Sequence, residues 1–181
     1  FYHTYAGAGL SAGGEIVAVN AEADQNFEPD FCALPDEIWS EAAAVILCSP
    51  ANPQGTVASR EGMRALVAKC RQHGTIGLFD ECYNELYRQA PPPSVLELIG
   101  SDLSQVVVTH SLSKRSSAAG IRVGFLTGDE AIIEHVSALM KFTSATVAAP
   151  IMAGAQTLLE DEAHVVLNRR RYTQSFEIAQ A

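Results

Sequence analysis

Lys114 combines a nucleophilic side chain with a place at the end of a predicted strand. It follows the apolar run Val106–Thr109, and Arg122 comes eight residues after it. The chain contains three lysines, and the other two, Lys69 and Lys141, lie in helical, charge-decorated patterns. An amine delivered by a β-branched run, with an arginine close behind it, is typical of a nucleophile beside an anion-binding group. Lys114 is therefore the lysine that we expect to do chemistry.

Five short apolar runs, each bounded by Gly, Pro, Ser or Asp, are predicted to be strands. They are Glu15–Val19, Ala44–Cys48, Thr75–Phe79, Gln105–Thr109 and Val123–Thr127. The last run follows the fourth after too few residues for a parallel crossover, so we expect it to pair antiparallel.

Helical periodicity accounts for much of the rest of the chain. One amphipathic helix is predicted between Ser59, a suitable N-cap, and Gly74, a suitable stop. A second is predicted from Asp129 to Phe142, and a third begins after Pro150 and continues, with a possible kink, toward the end. Strands that alternate with helices predict an α/β fold with three layers, α/β/α, and a mostly parallel sheet.

Polar side chains gather where these strands end, which is where open α/β sheets bind ligands. In chain order they are Asn52 after the second strand, Asp80 and Tyr83 after the third, and Ser111, Ser113 and Lys114 after the fourth, with Arg122 just before the fifth. Singly, each has a structural alternative, because Asn-Pro-x-Gly is a common turn and an aspartate often caps a helix. Together they indicate one site.

Pyridoxal phosphate (PLP) chemistry needs these residue types together. A lysine amine forms a Schiff base with the cofactor, and an aspartate beside the pyridine nitrogen keeps the ring protonated as an electron sink. A tyrosine hydroxyl and an asparagine amide can hold the phenolic oxygen, while serines and an arginine can bind the phosphate. The released lysine can then transfer a proton as general base and acid.

Four segments resemble the fold-type I, class I/II PLP-dependent aminotransferases. They are Ser49-Pro-Ala-Asn52-Pro-Gln-Gly55, Phe79-Asp-Glu-Cys-Tyr83, Ser111-Leu-Ser-Lys114 and Gly120-Ile-Arg122-Val-Gly124. The resemblance implies roles for eight residues: Lys114 as the Schiff-base lysine, Asp80 at the pyridine nitrogen, Asn52 and Tyr83 at the phenolic oxygen, Ser111, Ser113 and Arg122 at the phosphate, and Tyr2 stacked on the cofactor ring.

The resemblance extends over residues 1–181, which we expect to be a partial PLP-binding large domain. The family's phosphate loop would precede it and a small C-terminal domain would follow it. We therefore expect the isolated chain to bind PLP weakly and to lack transaminase activity. The family also implies amino-acid and keto-acid substrates and a homodimer for the full-length protein.

A narrower resemblance concerns the bacterial N-succinyldiaminopimelate aminotransferases. Its residues are Phe1-Tyr2, Gly7-Ala-Gly9, Leu47-Cys-Ser-Pro50, Asp80-Glu-Cys-Tyr83 and Ser111-Leu-Ser-Lys-Arg-Ser116. It implies glutamate as amino donor and N-succinyl-2-amino-6-oxopimelate as acceptor, in lysine and diaminopimelate synthesis.

Composition excludes several other classes of protein. The net charge of −9 argues against a nucleic-acid surface, which is basic. No run approaches the 18 or so apolar residues of a membrane span, and the four cysteines show no metal-ligand spacing. We expect a cytoplasmic protein that holds no metal and contacts neither nucleic acid nor membrane.

Three other hypotheses fit part of the pattern. Ser111-x-x-Lys114 matches the S-x-x-K motif of acyl-serine enzymes, but the Lys-Thr-Gly and Ser-Asp-Asn motifs are missing. Gly7-Ala-Gly9 begins a dinucleotide motif, but Ala12 replaces its third glycine and no apolar strand precedes it. A PLP-binding, effector-sensing module of a transcription regulator remains an alternative. His110 borders the site and is expected to be structural.

Overall fold

The computed structural model describes residues 2–143 and 146–180 of the chain. Phe1, which belongs to one of the resembling segments, lies outside the described residues, as do Ser144, Ala145 and Ala181. The strands are β1 (Ala44–Cys48), β2 (Ile76–Asp80), β3 (Val106–Ser111) and β4 (Gly124–Gly128). The helices are α1 (Thr4–Ser11), α2 (Asp36–Glu41), α3 (Arg60–His73), α4 (Val95–Ile99), α5 (Leu112–Arg115), α6 (Glu130–Met140), α7 (Ala149–Glu160) and α8 (Ala163–Gln180).

The four strands form one sheet in the order β1-β2-β3-β4. The pairs β1–β2 and β2–β3 are parallel, and β3–β4 is antiparallel, which confirms the predicted α/β fold and the predicted direction of the last strand. The register sets Cys48 beside Asp80 and Asp80 beside Thr109. The carboxyl ends of the three parallel strands therefore meet at one edge of the sheet.

Helix α3 follows from its local sequence. The Ser59 hydroxyl accepts a hydrogen bond from the backbone N–H of Gly62 at 2.9 Å, and so caps the first turn. Gly74 ends the helix with a φ of 71°, a left-handed conformation that glycine adopts at little cost. The apolar stripe of this helix packs on one face of the sheet, in a core formed by Trp39, Leu47, Met63, Leu66, Val67, Cys70, Phe79, Val95, Val106 and Val108.

Side chains alternate between the two faces of each strand, and this alternation separates core from site. Phe79 is only 2% exposed and points into the core beneath α3. Asp80 follows it and therefore faces the opposite side of the sheet, where Tyr5 of α1 reaches it. Helices thus lie on both faces, as the three-layer prediction required.

The predicted strand Glu15–Val19 is wrong. The structure has neither helix nor strand there, and none of β1–β4 pairs with it. An apolar alternating run forms a strand only when a neighbouring strand completes its hydrogen bonds. Instead, the side chain of Ile16 lies against Gly9 of α1, in the space that a Cβ at Gly9 would need. Gly7-Ala-Gly9 is therefore part of helix α1, close-packed at Gly9, and it does not form the strand-to-helix turn that dinucleotide binding needs.

The third predicted helix is two helices. It begins at Ala149 with Pro150 in its first turn and breaks at Asp161. The Asp161 carboxylate accepts a hydrogen bond at 2.8 Å from the backbone N–H of Ala163, where α8 begins. This break lets α8 take its own direction and return to the site.

Candidate active site

Asp80 lies at the carboxyl end of β2, and both of its carboxylate oxygens accept hydrogen bonds. The Tyr5 hydroxyl donates to Oδ2 at 2.5 Å, across 75 residues of sequence. The backbone N–H of Cys82 donates to Oδ1 at 3.1 Å. Two donors on two oxygens leave the carboxylate one orientation at the strand end. A carboxylate held in this way can pair with a cationic ring nitrogen.

Tyr5 is a site residue that the sequence analysis missed. Burial, and then its hydrogen bond to Asp80, raises the pKa of the Tyr5 hydroxyl well above its ordinary value. The group is therefore a neutral phenol, and a hydrogen-bond donor, at physiological pH. The signal available in the sequence was the spacing Tyr2-x-x-Tyr5, which sets two aromatic rings on neighbouring turns.

Tyr2, the predicted stacking residue, contacts Tyr5 and not Asp80. Its ring is 5.7 Å from the Tyr5 ring, centroid to centroid, and nearly perpendicular to it. The Tyr2 side chain is 40% exposed. The Tyr2 ring also lies 4.9 Å from the His3 ring, centroid to centroid, and its contact with Tyr5 links it to the Asp80 carboxylate.

Asn52, Tyr83 and Lys114 form a second group. The Asn52 amide Nδ2 donates to the Tyr83 hydroxyl at 3.2 Å. The Lys114 Nζ lies 5.4 Å from the centroid of the Tyr83 ring, within the range of a cation–π contact. Three residues from three different strand ends therefore share one place, although 62 positions separate the first from the last.

The loop that carries Asn52 is held from within. Ser49, which is 3% exposed, accepts a hydrogen bond from the backbone N–H of Ala58 at 3.0 Å. The backbone N–H of Ala51 donates to the Thr56 carbonyl at 2.8 Å, which closes the turn. Gly55 sits in this turn with a φ of 76°. The predicted Asn-Pro-x-Gly turn is thus present, and it presents Asn52 to Tyr83.

The predicted phosphate ligands lie around the start of α5. The Ser111 hydroxyl accepts from the backbone N–H of Ser113 at 3.1 Å, and Ser111 pairs with Gly124 in the β3–β4 register. The backbone N–H of Leu112 donates to the Val123 carbonyl at 3.1 Å. These contacts bring the backbone at Arg122 beside the turn that contains Lys114, residues 112–117, which we call the lysine turn.

Arg122 is exposed and has a left-handed backbone, with a φ of 55°. Its guanidinium donates to the Ala119 carbonyl at 3.0 Å. Within the described residues it makes no hydrogen bond to Ser111 or Ser113. The structure therefore brings the three residues to one corner of the sheet and leaves the guanidinium bound to its own loop.

Glu81, beside Asp80, is a second residue that the sequence analysis missed. It is 2% exposed, and its carboxylate accepts from the backbone N–H of Val95 at 2.8 Å and from the Asn84 amide at 2.9 Å. His110 Nε2 lies 3.7 Å from it. Burial raises the pKa of Glu81, although its hydrogen bond with Val95 opposes the shift. Burial also lowers the pKa of His110, and the charge on Asp80 opposes this. Glu81 joins the end of β2 to α4, and His110 lies beside this buried carboxylate.

Some kinds of site are not found in the described part of the chain. Residues 2–143 and 146–180 contain no group of three or more His, Cys, Asp or Glu side chains that could hold a metal ion. Over the same residues no helix has the length and apolar character needed to cross a bilayer. A shallow cleft of about 580 Å³ between β4 and α6 contains none of the predicted site residues.

The donor set at the strand ends fits PLP in kind. A half-buried amine and a phenol–amide pair contact one another, and an oriented carboxylate lies at the end of β2, at the same edge of the sheet. Two serine hydroxyls and a guanidinium lie at the neighbouring β3–β4 corner. These are the groups that the cofactor's aldehyde, ring nitrogen, phenolic oxygen and phosphate require.

Comparison with known proteins identifies the relatives of this chain. The family model for aminotransferase class I and II matches residues 1–178. The 4-dedimethylamino-4-oxo-anhydrotetracycline transaminase OxyQ of Streptomyces rimosus is 40% identical over 141 residues, which cover 76% of this chain and 39% of OxyQ. LL-diaminopimelate aminotransferase 2 of Trichormus variabilis is 35% identical over 138 residues, which cover 75% of this chain and 35% of that protein.

Among solved structures, an aminotransferase from Neisseria meningitidis matches with a TM-score of 0.91 and 32% identity. The match covers 98% of this chain and 46% of that one. The chain thus spans less than half the length of these relatives.

Replacing Glu81 by glutamine tests the buried carboxyl. A carboxyl whose folded pKa is raised binds more protons folded than unfolded, so its contribution to stability falls as pH rises above the unfolded pKa of about 4.5. The glutamine variant does not titrate. The free energy of unfolding of Glu81→Gln, minus that of the unmodified protein, should therefore increase from pH 5 to pH 7. Urea unfolding at each pH measures it. Glu134→Gln, at an exposed position on α6, is the matched control for the loss of one carboxylate. A pH dependence of Glu81→Gln no larger than that of this control would contradict the assignment.

Proposed function

The chain belongs to the family of class I and II aminotransferases, and from that premise we propose that this protein transfers an amino group between an amino acid and a keto acid. The family depends on PLP. The observation that carries the proposal is the convergence of Asn52, Tyr83 and Lys114 at the sheet edge where β2 ends in the oriented carboxylate of Asp80. An acyl-serine enzyme would leave Asp80 and Tyr83 without a role.

Lys114 is the proposed covalent anchor of the cofactor. When bound, PLP supplies an electron sink for the negative charge that develops on the substrate's α-carbon. The Lys114 amine, once free, would take the proton from that carbon as general base and would release it again as general acid. At 5.4 Å from the centroid of the Tyr83 ring, the amine lies close to the phenol.

Asp80 is the proposed partner of the pyridine nitrogen. Its carboxylate holds a proton on that nitrogen by charge and by hydrogen bonding. Tyr5 and the N–H of Cys82 keep the carboxylate aimed, because each donates to a different oxygen. A carboxylate oriented before the reaction costs no reorganisation when charge develops.

The remaining residues bind and orient. Asn52 and Tyr83, which are hydrogen-bonded to each other, would hold the phenolic oxygen of PLP, and Tyr2 would stack on its ring. Ser111 and Ser113 supply hydroxyls to the phosphate. Arg122, whose guanidinium donates to the Ala119 carbonyl in the structure, would bind the same dianion with its planar fork, which suits two phosphate oxygens.

For the substrates we propose glutamate as donor and N-succinyl-2-amino-6-oxopimelate as acceptor. The resemblance to N-succinyldiaminopimelate aminotransferases supports this, and so does the similarity to an LL-diaminopimelate aminotransferase. The higher identity to OxyQ supports a polycyclic keto acceptor as the second candidate. By family resemblance we also propose a cytoplasmic homodimer.

Lys114→Ala in the full-length protein should abolish the cofactor's absorbance near the visible edge and its trapping by borohydride. The reason is that, among residues 2–143 and 146–180, no other amine lies over the Tyr83 ring. Transamination should fall by more than about 10²-fold, since the general base is lost. The matched control Lys141→Ala, on the α6 side of the chain, should leave all three unchanged. Peptide mapping that finds the reduced cofactor on another residue would reject Lys114 as the anchor.

The variants Asp80→Asn and Tyr5→Phe distinguish the contribution of the Asp80 carboxylate from that of the Tyr5 hydroxyl, which orients it. The asparagine keeps the shape and loses the charge, so kcat should fall about 10²–10³-fold while cofactor stays bound. Removing the Tyr5 hydroxyl should lower kcat about tenfold, which is the size of effect expected for losing a hydrogen bond to a charged group. The double variant should be no slower than Asp80→Asn alone, because Tyr5 acts through Asp80. Full additivity of the two effects would show that Tyr5 acts elsewhere.

A panel of acceptors assayed with glutamate tests the substrate proposal. We expect N-succinyl-2-amino-6-oxopimelate to give the highest kcat/KM. An anhydrotetracycline ketone that exceeded it would favour the second candidate. If the protein binds PLP but transaminates none of these acceptors, the effector-sensing hypothesis would be favoured instead.

A further inference from the structure

Asn168 is a buried polar residue of α8 that grips the lysine turn. The residue is only 8% exposed to solvent. The amide Nδ2 donates to the Lys114 carbonyl at 2.9 Å and to the Arg115 carbonyl at 3.2 Å. Its Oδ1 accepts from the Ser117 hydroxyl at 2.7 Å. One amide thus binds three of four consecutive residues around Lys114.

The turn needs such a partner for two reasons. α5 has four residues, so the carbonyls at its end have no partner within the helix. An isolated single turn of helix is also unstable, because few hydrogen bonds offset its ordering. Ser117 then adopts a left-handed φ of 50°, which costs a non-glycine residue free energy. Asn168 binds both the free carbonyls and the strained residue.

The next residue on α8, Arg169, binds the loop that follows β2 and carries Tyr83. Arg169 donates to the Glu85 carbonyl at 2.9 Å and forms an ion pair with its carboxylate at 2.6 Å. Glu85 is two residues beyond Tyr83. Consecutive residues of one helix therefore contact the Tyr83 loop and the Lys114 turn, and the helix backbone sets the spacing between them.

We propose that Asn168 is a positioning residue for the reaction: it sets the height and direction of the Lys114 amine over the Tyr83 ring. The inference rests on the proposed role of Lys114. Misplacing a reacting group by about 1 Å can cost about 10²-fold in rate, so a contact that orients the lysine backbone acts on function beyond its effect on folding.

The test compares Asn168 variants with a structural control on the same helix. Asn168→Asp keeps an acceptor for Ser117 but loses the donor to the two carbonyls, and Asn168→Ala loses both. Val165→Ala is the control, because Val165 is 1% exposed one turn before Asn168, so that its truncation destabilises α8, while its apolar side chain makes no hydrogen bond to the lysine turn. Ser117→Ala removes the Oδ1 contact alone. Each is made in the full-length protein, and thermal unfolding measures the loss of stability.

Two readouts report on the amine itself. The first is the rate at which apo-protein gains the visible absorbance when PLP is added, and the second is the pH midpoint of that absorbance. We expect Asn168→Ala and Asn168→Asp to slow the gain at least about tenfold and to shift the midpoint. We expect Ser117→Ala to have a smaller effect and Val165→Ala to leave both unchanged at a similar loss of stability.

The outcomes distinguish this inference from the proposal beneath it. If the unmodified protein carries reduced cofactor on a residue other than Lys114, the proposed site is wrong. If it carries it on Lys114 but the Asn168 variants behave like Val165→Ala, Asn168 is structural only and the inference is overturned. Should Asn168→Asp fail to fold, Asn168→Ala against Val165→Ala decides in the same way.

Discussion

The parallel pairing of β1, β2 and β3 is the constraint on which the site depends. In a parallel register the carboxyl ends of neighbouring strands lie at one edge, so Cys48, Asp80 and Thr109 stand in line. The loops that follow carry Asn52, Tyr83 and Lys114 to the same place. Shifting one strand by a single residue would turn Asp80 into the core and Phe79 toward the site. The packing of Phe79 beneath α3 therefore holds the Asp80 carboxylate on the functional face.

Buried polar groups carry the positional accuracy that the sheet alone does not provide. Glu81, Ser49 and Asn168 are all largely removed from water, and each makes hydrogen bonds that close a loop at the strand ends. A buried polar group without a hydrogen-bond partner costs free energy. Loop conformations that break these contacts are therefore disfavoured relative to the observed one. The sheet supplies the layout of the site, and these three side chains supply its details.

Some elements follow from local sequence. The amphipathic stripe, Ser59 and Gly74 mark α3 to within a residue, because caps and periodicity are properties of neighbouring positions. The polar residues at strand ends were equally visible, and Asn52, Tyr83 and Lys114 do meet. The run Glu15–Val19 has the same local pattern as a strand but lacks a partner among β1–β4. Pairing is a long-range property, and a local pattern does not contain it.

The sequence by itself determined the chemistry available: one lysine after a β-branched run, an aspartate at a strand end, and the family to which their motifs belong. Only the tertiary structure decided which distant groups orient that chemistry. Tyr5 reaches Asp80 across 75 residues, and Asn168 reaches Lys114 across 54. Neither has a local signature of its partner, because a hydrogen bond between distant segments depends on how helices pack on the sheet.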